Sequence, residues 1–336
     1  MTLETLMLGE MFVIELAYYY PGPFCCKILS DLGARVVKVE PPSGDPMRYR
    51  PEIFAGINAG KELHRIDLKT EEGRDEFYRL VESADVVVEG FRPGVAKKLG
   101  VDYETLSRIN EGLIYCSITG FGQNSKITRP VHDINVLSMA GICEVSGLSE
   151  GIPRDPNVQF SDYTSSVMAA ISILSAYIRK MRTGRGAYID VDMYGSALFS
   201  VPLHALRAAN GRPHLRDFYA NPGYRIYRAR DCHVSVGILD EPVFWEIFCR
   251  RLGLDELADV GFEERLARAE EIEKLVAERL SNMSRREIED IFGEDIPYGV
   301  IESLENSVSD SDFLRELEFE NTEVKTFSFP VRFHLG

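Results

Sequence analysis

Two hydrophobic periods alternate through the N-terminal half of the chain. Short apolar or β-branched runs are separated by stretches in which apolar residues recur every three to four positions, the pattern of strand–helix units feeding a parallel sheet. Met11 to Leu16, Arg35 to Val39, Asp85 to Val88 and Leu113 to Ile118 are short enough to be buried strands, and Glu71 to Val81 predicts a helix between two of them. In Tyr20-Pro-Gly-Pro23 a proline can start a helix, because its missing N–H has no partner at that position anyway. A long, mostly apolar helix is predicted from Thr164 to Arg182, broken at Thr183-Gly-Arg-Gly186 and followed by a strand from Tyr188 to Met193. Around Pro222 the character changes: Tyr224 to Tyr227 and His233 to Val236 alternate like a hairpin, and amphipathic, charge-laced helices run to about Phe292. Thr322 to Phe333 is rich in β-branched and aromatic residues and predicts a return to the first domain.

The fold class that follows is α/β. A Rossmann-like, parallel-sheet large domain spans 1–215, with 316–336 returning to it, and a smaller α+β domain spans 216–315. A length of 336 residues suits one large unit and one smaller one.

Composition removes several function classes. Lys and Arg total 38 against 53 Asp and Glu, a net charge of −15, which repels phosphate backbones and anionic lipid and argues against nucleic-acid and membrane partners. Met1 to Glu10 lack the basic-then-apolar order of a signal peptide, and no apolar run approaches the ~20 residues of a membrane-spanning helix, so a cytoplasmic protein is expected. The six cysteines (Cys25, Cys26, Cys116, Cys143, Cys232 and Cys249) include no C-x-x-C pair and predict reduced, mostly buried thiols rather than a zinc cage or a disulfide framework.

The phosphate-binding fingerprints G-x-G-x-x-G and G-x-x-x-x-G-K-[ST] are absent, as are the G-x-S-x-G elbow and H-E-x-x-H. What remains is a set of segments in a characteristic order: Pro21-Gly-Pro-Phe24, Asp31-Leu-Gly-Ala34, Val37-Lys-Val-Glu-Pro41, Asp67-Leu-Lys69, Phe91-Arg-Pro-Gly-Val95, Gly120-Phe-Gly-Gln123, Thr183-Gly-Arg-Gly186, and Val236-Gly237 leading to Glu241-Pro242. Together they resemble the family III coenzyme A transferases (the CaiB/BaiF superfamily) and their racemase branch, the α-methylacyl-CoA racemases, over nearly the whole chain.

Within that resemblance His132-Asp133-Ile134-Asn135 looks like the racemase version, since the transferases usually carry an aromatic residue in place of the histidine. Asp162, thirty residues later, matches the aspartate on which both branches depend. The resemblance implies a proton exchanger in one branch and an acyl-accepting nucleophile in the other. Stereoinversion beside a thioester needs one base to remove the α-proton and one acid to return a proton to the opposite face, and an imidazole with a carboxyl can do both. By the residues alone, His132 could instead only cap a helix starting near Ile134, and Asp162 only the long helix. Asp133 and Glu241 are implied as supporting residues, Glu241 from the smaller domain. Alone, Glu241 reads as an acidic residue in the first turn of a helix. Lys38, Lys61, Asp67, Lys69 and Arg92 are implied to bind coenzyme A, whose phosphates call for cations. Tyr18, Tyr19 and Tyr20 close a predicted strand, where crevices of open sheets form.

Three departures stand out: Tyr163-Thr-Ser-Ser166 where the racemases usually show a glycine run, Val131 where glycine usually precedes the histidine, and Asp240 inserted before Glu241. The expectation is an acyl-CoA racemase or epimerase acting on a 2-methyl-branched thioester, with no metal or redox cofactor and an interlocked homodimer as the unit. A family III CoA-transferase and a non-catalytic acyl-CoA-binding protein stay open.

Overall fold

The computed structural model describes residues 7–320 and 322–334. Six strands form a parallel sheet in the order β3-β2-β1-β4-β5-β6: β1 (Phe12–Leu16), β2 (Arg35–Glu40), β3 (Glu62–Arg65), β4 (Val86–Glu89), β5 (Ile114–Thr119) and β6 (Ala187–Asp192). The four apolar runs are all central strands. Their side chains alternate between two buried layers, which is why they read as continuous hydrophobic stretches. Met11, Val13, Val36, Val86, Val88 and Cys116 pack on one face, with Cys25, Cys26 and Ile28 of α1 (Pro21–Asp31) and Ala169, Ala170 and Ile173 of the long helix Phe160–Thr183. Ile14, Leu16, Val37, Val87 and Tyr115 pack on the other, with Phe77 and Val81 of the helix Glu71–Ser83.

Two family-like motifs owe their glycines to sterics. A Cβ on Gly22 would lie 2.2 Å from the Ala17 Cβ, so Pro21-Gly-Pro lets α1 start hard against the end of β1. Thr183-Gly-Arg-Gly186 ends the long helix with Gly184 in the left-handed region at φ +68°, and a Cβ on Gly186 would lie 2.0 Å from the Leu113 carbonyl.

Contacts divide the chain into two units, one holding residues through Val145, Arg154–Pro202 and everything from Ser311 on, the other Ser146–Pro153 and Leu203–Asp310. Residues 203–215 join the smaller unit. Residues 311–315 join the larger, because β10 (Leu314–Phe319) must pair with β11 (Thr322–Phe327) to satisfy its backbone. That hairpin is anchored in the large unit by Thr326 Oγ1 donating to the Gly56 carbonyl at 2.7 Å and by Arg315 against Asp31 at 2.6 Å. The smaller unit is α+β: an antiparallel sheet of β7 (Tyr224–Arg228), β8 (His233–Gly237) and β9 (Tyr298–Val300) packs on helices through Trp245, Phe248 and Phe292.

Candidate active site

The crossover direction reverses between β1 and β4, and the crevice beyond the carboxyl ends of strands at such a point is where open α/β sheets bind ligands. A cavity of about 520 Å³ lies there, walled by Ala17 after β1, Gly90 after β4, Ile118 at the end of β5 and Met193 after β6. His132 and Asp162 both line it, as do Tyr19, Arg92 and Arg129.

Each of the two reactive candidates is set by a helix start. His132 is the N-cap of the short helix Asp133–Met139: Asn135 Oδ1 accepts its backbone N–H at 3.0 Å and its carbonyl accepts the Asn135 N–H at 3.0 Å. Its imidazole meets the ring of Tyr19 edge-on, with centroids 6.3 Å apart and planes at 87°. Asp162 departs from expectation. It lies within the first turn of the long helix, which begins at Phe160, and does not cap it. The cap is the buried carboxylate of Asp133, whose Oδ1 accepts the backbone N–H groups of Ser161 (2.8 Å) and Asp162 (3.0 Å) and the Ser161 hydroxyl (2.6 Å). With its N–H groups satisfied from another segment, the helix can start earlier than local pattern suggests. Asp133 therefore ties the residue after the histidine to the turn that carries Asp162. Burial first, and the negative charge of Asp133 second, push the Asp162 carboxyl up to about 7.

The residues implied for coenzyme A separate into groups. Arg92 lines the cavity and is exposed. Its loop is held by Glu89, a buried carboxyl that accepts the Phe91 N–H at 2.6 Å and is lifted to about 7 chiefly by burial. Lys38 and Lys61 are buried, and their ammonium groups are fully used within the protein. Lys38 Nζ meets Glu15 (2.7 Å), Asp45 (2.8 Å) and the Ala17 carbonyl (2.8 Å); Lys61 Nζ meets Glu15 (2.7 Å), Asn58 Oδ1 (2.8 Å) and the Pro23 carbonyl (2.8 Å). Both ammonium groups are enclosed by these internal partners and neither lysine lines the cavity, which corrects their assignment as phosphate contacts. Burial drives the Glu15 pKa upward, but the two lysines outweigh it and the net shift is down. Asp67 and Lys69 form the turn after β3, where Asp67 Oδ1 accepts the Lys69 N–H at 3.0 Å; Lys69 is exposed, and neither residue lines the cavity.

Glu241, in the smaller unit, is exposed and is the N-cap of the helix Pro242–Arg251 rather than part of its first turn, and its Oε2 accepts the Leu239 N–H at 2.8 Å. Tyr18 and Tyr19 line the cavity, while Tyr20 stacks on Phe24 at 5.1 Å. Sequence reasoning passes over Arg129 and Glu89. The position of Arg129, three residues before His132, is the signal that could have found it.

A family model described as CoA-transferase family III matches residues 8–335. The chain is 30% identical over 328 residues to a succinyl-CoA:mesaconate CoA-transferase of Haloarcula hispanica, covering 90% of this chain and 82% of that protein. It is 36% identical over 256 residues to the human alpha-methylacyl-CoA racemase, covering 73% of this chain and 65% of that one. Among solved structures, a CAIB/BAIF family protein from Brucella suis superposes with a TM-score of 0.83 at 30% identity, covering 96% of this chain and 91% of the other. The chain is thus an enzyme-family sequence that holds both transferases and racemases among its relatives, and it belongs to CoA-transferase family III.

Proposed function

We propose that the protein inverts the α-carbon of a 2-methyl-branched acyl-CoA thioester by 1,1-proton transfer between His132 and Asp162. The observation that carries this reading is that an imidazole and a carboxyl lifted to about 7 line one cavity at the reversal point of the sheet. A carboxyl with that pKa is present in both protonation states near neutral pH, as a group that must alternately take and give a proton requires. One residue removes the α-proton to leave a planar enolate; the other returns a proton to the opposite face; no atom or electron is gained or lost. Arg92 and Arg129 are the cavity's cations for the phosphates of coenzyme A. The working unit is proposed to be a homodimer.

CoA transfer is the second reading, favoured by the relatives named as transferases, and there the Asp162 carboxylate would attack the thioester carbonyl, break its C–S bond to release the coenzyme A thiolate, and carry the acyl group as an anhydride. Incubation of a single-epimer 2-methylacyl-CoA in heavy water separates the readings. Inversion predicts deuterium at C2 and a mixture of epimers. Retention of every C2 hydrogen, together with hydroxylamine trapping of an acyl group on Asp162, selects transfer; thioester binding with neither reaction selects a binding protein.

A further inference from the structure

We propose that Tyr19 is the positioning residue for the His132 imidazole, and that the segment carrying it is clamped to the turn that carries Asp162. The inference rests on the reading of His132 as a proton-transfer group. Tyr19 has φ +63°, a left-handed conformation that a bulky residue adopts only where its surroundings over-determine it. Burial does not compensate, since the residue is 44% exposed. The constraint comes from three carbonyls, one before the residue and two after it. Lys38 Nζ donates to Ala17, Ser166 Oγ to Pro21 and Lys61 Nζ to Pro23, each at 2.8 Å. Both lysines are anchored on the buried Glu15 carboxylate. The Asp162 carbonyl lies 2.7 Å from the same Oγ, so the single Ser166 proton is shared between two acceptors and ties the tyrosine segment to the first turn of the long helix. The consequence is mechanical: the ring edge that meets His132 is held in the same frame as the carboxyl, and the separation of the two reactive groups is set without a direct bond between them.

Three variants test this: Tyr19→Phe, Tyr19→Ala and Tyr19→Gly, each read by 13C relaxation of the His132 ring, by melting temperature, and by kcat and KM for C2 deuterium exchange of a single-epimer 2-methylacyl-CoA. Tyr19→Ala should mobilise the His132 ring and lower kcat by about tenfold, the ceiling of a ring–ring contact, with KM within about twofold. Tyr19→Phe should restore both. Tyr19→Gly, free to adopt positive φ, should melt above the alanine variant yet be as slow, which separates positioning from folding. Unchanged His132 relaxation in Tyr19→Ala, or a phenylalanine variant as slow as alanine, overturns the proposal. If the native protein exchanges no C2 hydrogen, the functional reading fails while the relaxation data still decide the role of Tyr19.

Discussion

Asp162 holds its proton in the folded protein at pH values where an unfolded chain has released it, and this gives its chemistry a thermodynamic signature. Its pKa stands at about 7 in the fold, against about 4 for an ordinary aspartate. The folded state therefore binds the extra proton between those values, so its contribution to stability is complete below about pH 4 and is lost as pH rises through 7. Asp162→Asn removes that cost: the variant should exceed the native protein by about 4 kcal/mol at pH 8, with the difference shrinking toward zero at pH 4, as read by urea unfolding at both. His132→Ala should lower inversion of the thioester by about 10²- to 10⁴-fold while leaving coenzyme A binding within a few fold, measured by kinetics and calorimetry.

Helix starts are the elements on which the site depends, and Asp133 joins two of them. Asp133→Ala strips the cap from Ser161 and Asp162 and should cost about 1–3 kcal/mol in denaturant unfolding. Asp133→Asn keeps an oxygen acceptor but removes the charge, so the Asp162 pKa should fall, followed by 13C NMR of its carboxyl. What was legible at this scale follows from how local the cause is. Two-sided burial writes β1, β2, β4 and β5 into the sequence as apolar runs. By contrast β3, a four-residue edge strand of Glu-Leu-His-Arg, leaves no such trace. The family motifs bring out His132 and Asp162, which the fold indeed brings to one cavity. The cap from Asp133 acts across 28 positions and has no local pattern. Motif position also misassigns Lys38 and Lys61 to the ligand, although a lysine inside Arg-Val-Val-Lys-Val-Glu, beside a strand reading Phe-Val-Ile-Glu-Leu, carries a physical signal for pairing within the core.

Across the whole molecule, the buried cluster of Glu15, Lys38, Lys61 and Asp45 links the core to the cavity wall. Lys61→Met would leave Glu15 short of a counter-charge in a fully buried place, and should destabilise the fold by about 3–5 kcal/mol in urea unfolding. The long helix and the C-terminal hairpin border an apolar cavity of about 980 Å³ with Ile171 exposed beside it. The proposed homodimer predicts light scattering at twice 37.9 kDa, and scattering at the single mass would contradict it. The central claim is that one carbon sits between two proton carriers on opposite faces, and it is tested most directly by giving each epimer of a 2-methylacyl-CoA separately, in heavy water, to His132→Ala and to Asp162→Asn. Each variant should exchange the C2 hydrogen of one epimer only, with configuration retained, and the two variants should choose opposite epimers. Exchange of both epimers by either variant, or the same epimer by both, would contradict the account.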